Sequence, residues 1–196
     1  PGANENDEFI PVTAHGVKLL SMGLLINESD PVAVRGPLAT RYVQQFLRNV
    51  AWGDVDFLIL DLPPGTGDIQ LTIVQTAELD GVVVVTTPQE VALIDARKAI
   101  GLFERVETPI LGIIENMSYF QCPSDGKIYH IFGEGGGERE AARLGVPLLG
   151  KIPLDISTRS GGDEGRPVAL EEPGQNPVSA AFRQVAEQCA RVVLDR

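Results

Sequence analysis

Residues 57–68, FLILDLPPGTGD, constrain the fold of this chain more than any other segment. The first four residues are bulky and apolar at every position, which is typical of a strand buried on both faces. The run ends at Asp61, and open α/β sheets bind their ligands at the carboxyl ends of their strands. Prolines and glycines follow as far as Asp68, and they stiffen the loop while letting its backbone approach a ligand closely. The segment predicts a central strand of a parallel sheet with a polar loop after it.

The chemistry of this loop suits a site for Mg²⁺ and a nucleotide. The acid can hold the metal, often through a water molecule, while N–H groups of the loop face the terminal phosphate. The alternative is a strand that runs into an ordinary turn, with Asp61 as a cap. Because short motifs also arise by chance, the spacing alone leaves both interpretations open.

Strands and helices are predicted to alternate along the rest of the chain. Apolar runs predict strands at residues 17–23 (extended by 24–26), 81–87, 109–116 and 148–152. Helices are expected at 69–77, 90–105 and 177–194, and around the face formed by Tyr42, Phe46 and Val50. This alternation indicates βαβ units and a parallel sheet. We predict a single domain over residues 1–196, with loose residues 1–13 and a small hairpin at 118–132.

Composition excludes several classes of protein. A net charge of −11 argues against nucleic-acid binding, because affinity for the phosphate backbone comes largely from Lys and Arg. No apolar run approaches the roughly 18 residues that a membrane span needs, and residues 1–9 lack a signal-peptide pattern. Two cysteines do not make a disulfide framework in a chain of 196 residues. We expect a cytoplasmic protein without nucleic-acid or membrane partners.

Seven short segments, in this order along the chain, resemble the Mrp family of P-loop ATPases. That family belongs to the MinD/ParA group and is linked to the assembly and carriage of iron–sulfur clusters. The resemblance extends from about residue 14 to residue 173. Its segments are RGP at 35–37, WGDVDF at 52–57, DLPPGTGD at 61–68, VVVVTTPQ at 82–89, ENMS at 115–118, FGEGGGE at 132–138 and IPLD at 152–155.

The resemblance implies a Rossmann-like α/β fold of the P-loop NTPase type, a mostly parallel sheet with helices on both faces. It also implies a homodimer that binds ATP and Mg²⁺ and passes clusters to apo iron–sulfur client proteins. The pattern G-x-x-x-x-G-K-[ST] is not found in the sequence. We therefore expect the chain to correspond to the C-terminal part of such an ATPase, without the N-terminal strand or strands and the P-loop, and to hydrolyse ATP poorly on its own.

The family pattern assigns roles to the loop after the first long apolar run. Asp61 resembles the Walker B acid, which lies near Mg²⁺ and contacts it through water. Gly65 corresponds to a glycine whose backbone contacts the γ-phosphate. Asp68 closes the switch segment, so Asp61 and Asp68 are the candidate catalytic residues. Arg35 matches a family motif, with a surface arginine packed on the following helix as the alternative.

Adenine recognition is assigned to two later segments. Asn116 resembles the asparagine whose side-chain amide reads adenine in MinD-like ATPases, and a cap on the end of a strand is the alternative. Pro153, Leu154 and Asp155 resemble the loop that covers the base from the other side. The glycine-rich residues 133–137 resemble a loop that begins a helix beside the nucleotide, and we interpret them as structural.

The hairpin at residues 118–132 carries the candidate iron–sulfur ligand. The family commonly has Cys-Pro-x-Cys here, and two subunits together hold a bridging [4Fe–4S] cluster, which usually takes four thiolates. This chain has Cys122 at the first position and Asp125 at the second. A symmetric dimer would supply two thiolates, unless Asp125 also binds the cluster or outside thiols help. A lone cysteine in a turn is the alternative, whereas Cys189 is expected in the core.

Two functions follow from these patterns. The first is an iron–sulfur cluster carrier that binds ATP and, when complete, hydrolyses it. The second is a non-catalytic or MinD/ParA-like regulatory interaction module that keeps the fold without binding a cluster. The missing P-loop pattern and Asp125 are the features that favour the second.

Overall fold

The computed structural model describes residues 2–25, 36–63, 65 and 67–195, and for residues 36–39 and 68 it describes the backbone alone. Arg35, Pro64, Thr66 and the predicted strand end at Ile26 therefore lie outside the described residues. The chain divides into two compact units, Pro1–Glu78 and Leu79–Arg196, which we call the N-terminal and C-terminal units.

The N-terminal unit combines a hairpin with two helices. Strands β1 (Val12–Ala14) and β2 (Val17–Leu19) are antiparallel, and helices α1 (Gly36–Arg48) and α2 (Asp68–Thr76) pack against each other. Phe9 ties the preceding segment to the end of α1. Its ring meets that of Phe46 edge-on at 6.5 Å, and its N–H donates to the carbonyl of Asn49 at 2.8 Å.

The predicted first strand at residues 17–26 is wrong in extent and in type. Only Val17–Leu19 is a strand, and Met22–Leu24 forms a 3₁₀ turn. The reason is the preceding turn, where His15 and Gly16 have φ values of 52° and 79° and reverse the chain. Val17 then pairs with Ala14 in an antiparallel ladder. Residues 1–13 were expected to be loose, but their described part includes a β-bridge between Ala3 and Phe9 and the start of β1.

The predicted central strand at residues 57–60 is also wrong. These residues are not part of any described strand, and Ile59 is 86% exposed. An apolar run becomes a buried strand only when neighbouring strands pair with its N–H and C=O groups and other elements cover its side chains. No described residue pairs with this run as a strand neighbour. Asp61 therefore follows an irregular segment.

The C-terminal unit contains the predicted parallel sheet. Its elements are β3 (Val82–Thr86), α3 (Glu90–Arg105), β4 (Ile110–Glu115), β5 (Phe120–Gln121), β6 (Ile128–Tyr129), α4 (Gly136–Leu144), β7 (Leu148–Lys151), α5 (Ile156–Asp163) and α6 (Pro177–Leu194). The strands of the sheet run parallel in the order β3-β4-β7, and the helices between them confirm the βαβ pattern. The antiparallel hairpin β5-β6 forms a separate two-stranded sheet.

Helices cover both faces of this sheet, as predicted. Successive residues of a strand point to opposite faces. Accordingly, Ile113 packs in a cluster with residues of α3 and α4, and Ile114 packs in a second cluster with Val185 of α6. Cys189 is half-buried against that second cluster. The expected core position of Cys189 is therefore met only in part, because the thiol lies at the margin of this cluster.

A buried acid joins α3 and α4, the two helices that cover the face of the sheet where Ile113 lies. Glu140 of α4 is 2% exposed, and its carboxylate accepts hydrogen bonds from Arg97 of α3 at 2.9 Å and from Arg143 at 2.8 Å. Both arginines reach solvent, so the pair of cations stays hydrated while the acid is covered. Of the helices in the described part of the chain, none is long and apolar enough to cross a membrane.

Candidate functional site

Asn116 begins a tight turn at the carboxyl end of β4. Its backbone N–H donates to the carbonyl of Thr86 on β3 at 2.7 Å, and its side-chain Oδ1 accepts the N–H of Met117 at 3.0 Å. Met117 takes a left-handed conformation, with φ of 51°. Within the described residues Nδ2 of Asn116 has no acceptor, so the amide keeps its two N–H donors for a ligand.

Thr87 adds a second polar group at the same edge of the sheet. Its hydroxyl is buried and finds no hydrogen-bond partner in the part of the chain that the structure describes. Buried hydroxyls normally bind protein, water or a ligand. Thr87 and Asn116 follow neighbouring parallel strands, where α/β sheets bind their ligands. The two groups fit a polar ligand such as a nucleotide base.

The loop after β7 runs beside the segment that follows Asn116. The N–H of Ser118 donates to the carbonyl of Ile152 at 2.9 Å, and the N–H of Leu154 donates to the carbonyl of Tyr119 at 2.7 Å. Pro153 is buried and Leu154 is half-buried. The structure therefore brings two of the sequence-predicted adenine-binding segments together.

Asp155 begins helix α5 as its N-cap. The carboxylate accepts the N–H of Thr158 at 2.8 Å and also the hydroxyls of Thr158 and Ser157. Burial would raise the pKa of Asp155, but these hydrogen bonds outweigh it and hold the pKa below its ordinary value. The described contacts of this carboxylate are thus those of a helix cap.

An apolar groove lies between the hairpin and α5. Its cavity has a volume of about 290 Å³. The groove includes both Leu154 and Asp155, so the predicted base-covering loop forms part of its wall. The lining residues are Phe120, Ile131, Leu154, Asp155, Ile156 and Arg159.

The candidate Mg²⁺ and phosphate residues belong to the N-terminal unit. Asp61 is exposed, and the side chain of Gln70 donates to the carbonyl of Pro63 at 2.8 Å, which fixes the following loop to α2. Gly65 has φ of 102°, a conformation that side chains disfavour. Asp68 is the first residue of α2, with its backbone alone described.

Cys122 lies in the turn of the β5-β6 hairpin. Its N–H donates to the carbonyl of Lys127 at 2.9 Å, and its Sγ lies 3.0 Å from the hydroxyl of Ser124. This hydroxyl, and then the backbone N–H groups of Ser124 and Asp125, lower the pKa of the Cys122 thiol. The turn predicted by Pro-Ser-Asp-Gly is therefore confirmed, and it favours a thiolate.

Asp125 lies on the same turn. Its carboxylate accepts the N–H of Lys127 at 3.0 Å, which lowers its pKa, and a hydrogen bond with Cys122 adds to the effect. In the described part of the chain there is no group of three or more His, Cys, Asp or Glu side chains that could hold a metal ion. One hairpin thus offers a thiolate and a carboxylate, which is less than the four ligands of a cluster.

Glu115 was missed by the sequence analysis. It is fully buried at the end of β4, where its Oε1 accepts the hydroxyl of Ser118 at 2.5 Å and its Oε2 accepts the N–H of Gly137 at 2.6 Å. The signal that could have revealed it is an acid that ends an apolar run, immediately before Asn116. Its carboxylate accepts a hydrogen bond in the first turn of α4, and the structural role assigned to the glycine-rich residues 133–137 stays a prediction.

Sequence relatives of this chain are iron–sulfur proteins. A family model described as ParA: NUBPL iron-transfer P-loop NTPase matches residues 2–190. The mitochondrial iron–sulfur protein required for NADH dehydrogenase of Arabidopsis thaliana is 45% identical over 191 residues, which cover 97% of this chain and 61% of that protein. An iron–sulfur cluster carrier protein of Deinococcus radiodurans is 47% identical over 188 residues, 96% of this chain and 53% of that protein. The chain thus spans 53–61% of the length of these relatives.

Solved structures agree on the fold. The nucleotide-binding protein of Archaeoglobus fulgidus in complex with ADP aligns with a TM-score of 0.70 and 36% identity, over 84% of this chain and 64% of that chain. The septum site-determining protein MinD of Pyrococcus horikoshii, complexed with Mg-ADP, aligns with a TM-score of 0.56 and 26% identity, over 76% and 56%. Together with the family match, these similarities show that the chain belongs to the NUBPL family of iron-transfer P-loop NTPases.

Proposed function

We propose that this chain is part of an iron–sulfur cluster carrier that binds ATP and Mg²⁺ and delivers clusters to apo client proteins. The observation that carries the proposal is the half-buried hairpin thiol of Cys122, whose Sγ lies 3.0 Å from the hydroxyl of Ser124 and whose pKa is lowered, in a chain of an iron-transfer family. Thiolates are the ligands of iron–sulfur clusters. The cluster is the cargo of the protein, and the hairpin is the place that presents it.

The nucleotide is assigned to the polar groups that end the parallel strands. Asn116 would bind the adenine edge through its amide, and the buried hydroxyl of Thr87 fits a ligand at the same edge of the sheet. The loop containing Pro153 and Leu154 would cover the base. ADP bound to the relative from Archaeoglobus fulgidus supports this assignment.

Magnesium and phosphate are assigned to the loop after residue 60. Asp61 would hold Mg²⁺ through water, Gly65 would face the terminal phosphate through its backbone, and Asp68 would close the switch segment. Bound Mg²⁺ supplies charge stabilisation during phosphoryl transfer. Because the glycine-lysine loop that cradles phosphates is not found in this sequence, we expect little hydrolysis from these residues alone.

Cluster binding is proposed to need two copies of the chain. Two hairpins would supply two thiolates from Cys122 and two carboxylates from Asp125. Both side chains lie on the same turn of the hairpin, where Sγ of Cys122 is 3.0 Å from the hydroxyl of Ser124 and Asp125 accepts the N–H of Lys127 at 3.0 Å. A carboxylate binds iron less strongly than a thiolate in a soft-ligand site, so the cluster should be held loosely. Loose binding suits a carrier that must release its cargo.

The test is anaerobic reconstitution with iron and sulfide, followed by visible absorption, iron counting and light scattering. The unmodified chain should form a brown dimer, and Cys122→Ala should stay colourless. Asp125→Cys should retain the cluster longer against a chelator, because it completes four thiolates in the dimer. Cys189→Ala is the matched control and should behave as the unmodified chain. If neither the unmodified chain nor Asp125→Cys binds iron, the chain is a regulatory module without a cluster.

A further inference from the structure

Glu115 is a fully buried carboxylate, and the roles assigned above do not involve it. Its two oxygens are each hydrogen-bonded, Oε1 by the hydroxyl of Ser118 at 2.5 Å and Oε2 by the N–H of Gly137 at 2.6 Å. Two hydrogen bonds of this length offset much of the desolvation that burial imposes on a carboxylate. The acid therefore links the end of β4, the turn after it and the start of α4.

The start of α4 is shaped to receive this carboxylate. A Cβ on Gly137 would lie 3.0 Å from Cβ of Glu115 and 3.2 Å from its Oε2, so a side chain there would force the two apart. The N–H of Gly137 belongs to the first turn of the helix, where the macrodipole favours a negative group. The close approach of helix and strand thus depends on glycine at this position.

The turn held by Glu115 is the turn that presents Asn116. Backbone hydrogen bonds fix it at both ends, from Asn116 to Thr86 at 2.7 Å and from Ser118 to Ile152 at 2.9 Å. Between these ends Met117 adopts φ of 51°, which is unfavourable for its side chain. A third restraint, the bond between the Ser118 hydroxyl and Glu115, closes the turn from the interior.

We propose that Glu115 is a positioning residue for base recognition, which holds the residue 116–118 turn so that the Asn116 amide keeps one orientation. The orientation follows from the bond between the Met117 N–H and Oδ1 of Asn116, which leaves Nδ2 as the free donor. Oδ1 has a second lone pair, so the fixed amide can accept the N6–H of adenine while Nδ2 donates to N7, whereas guanine presents an acceptor, O6, where Oδ1 needs a donor. This inference rests on the proposed nucleotide-binding function.

The experiment measures the dissociation constants of ATP and GTP in the presence of Mg²⁺. The unmodified chain should prefer ATP, and Asn116→Ala should lose the preference. Glu115→Ala should reduce the ratio of the two constants about fivefold or more, since it removes the hydrogen bonds of the carboxylate to both Ser118 and Gly137. Ser118→Ala, which removes one restraint, should reduce it less. In the double variant Glu115→Ala/Asn116→Ala, the ratio should equal that of Asn116→Ala alone, because Glu115 acts on the base only through the Asn116 amide.

Two further variants separate positioning from stability. Glu115→Gln should restore the ATP preference, because glutamine can accept the Gly137 N–H and donate to the Ser118 hydroxyl. Glu140→Ala is the matched control. It removes another buried acid, which links α4 to α3, and should lower stability without changing the ratio of the ATP and GTP dissociation constants. If Glu115→Ala retains the ATP preference that Asn116→Ala loses, the proposal is overturned.

A second measurement does not need nucleotide binding. If the unmodified chain binds neither ATP nor GTP, the proposed nucleotide function fails, and amide hydrogen exchange still tests the turn. The Met117 N–H, which donates to Asn116, should lose protection in Glu115→Ala and Ser118→Ala but not in Glu140→Ala. Unchanged protection of Met117 in Glu115→Ala and Ser118→Ala would refute the positioning role by itself.

Discussion

Two runs of consecutive apolar residues, 57–60 and 82–85, have the same pattern and lie in different environments. The second run belongs to β3, which pairs with β4 along its whole length, and Val84 is buried against α3 and α4. The first run is in no strand, and Ile59 is 86% exposed. The comparison teaches that a neighbouring strand and covering helices bury one face of such a run: Val84 is buried, whereas Val85 on the other face is still 58% exposed.

The same contrast holds for the two units as wholes. Among the residues that the structure describes, only Val50 and Ile73 of the N-terminal unit are apolar and more than nine-tenths buried. The other described apolar side chains buried to this extent, such as Ile100 and Ile113, are in the C-terminal unit, packed on the two faces of one sheet. Stability should therefore depend mainly on the C-terminal unit, since apolar burial is the dominant favourable term in folding.

The largest expected effect is on the free energy of unfolding, when a buried and an exposed isoleucine are each replaced by alanine. Ile113→Ala should reduce the free energy of unfolding by about 2–5 kcal/mol, because it leaves a cavity between β4 and the helices. Ile59→Ala should change it by less than about 0.5 kcal/mol, because the side chain is in solvent. Urea denaturation of both variants measures the difference. If Ile59→Ala loses several kcal/mol of unfolding free energy, the contrast between the two runs is wrong and residues 57–60 are buried in solution.

The two cysteines extend the comparison to thiol chemistry. Hydrogen bonds from Ser124 lower the pKa of Cys122, and burial raises the pKa of Cys189. Since the thiolate is the nucleophile, iodoacetamide at pH 7 should alkylate Cys122 at least roughly tenfold faster than Cys189. The pH dependence of the rate, followed by mass spectrometry, should shift upwards in Ser124→Ala. Equal rates at the two cysteines would contradict the assigned environments.

The smallest expected effect is a difference in stability between alanine variants of two aspartates, each of which follows an apolar run. Asp155 caps α5, so Asp155→Ala should reduce stability by about 1 kcal/mol, whereas Asp61→Ala should have almost no effect on stability. Because the pKa of Asp155 is held below its ordinary value, its contribution is present above about pH 4 and is lost as the pH falls through the folded pKa.

Asp155→Asn provides the control for this pair. Asparagine also caps helices well, so it should keep most of the stability at neutral pH while removing the acid-dependent part. Denaturation curves at pH 7 and pH 3 check both statements. An Asp61→Ala variant as destabilised as Asp155→Ala would mean that the Asp61 side chain makes contacts that its exposure does not indicate.

The sequence by itself determined the elements whose signal is local. Helices Glu90–Arg105 and Pro177–Leu194 begin and end where the helical pattern predicts, because a helix satisfies its backbone within its own segment. Strands β3, β4 and β7 were also found, within one or two residues at each end, from apolar runs bounded by turns. The hairpin around Cys122 followed from its four-residue turn.

Tertiary structure decided what depends on partners distant in sequence. A parallel strand needs neighbours across a crossover, so the pattern at residues 57–60 could not show whether they are present. The hydrogen bonds that satisfy buried Glu115 and Glu140 come from Gly137 and Arg97, which other elements bring to them. The one local signal of Glu115, an acid at the end of an apolar run, is shared by Asp61, which is exposed, because the desolvation of a carboxylate is set by its surroundings.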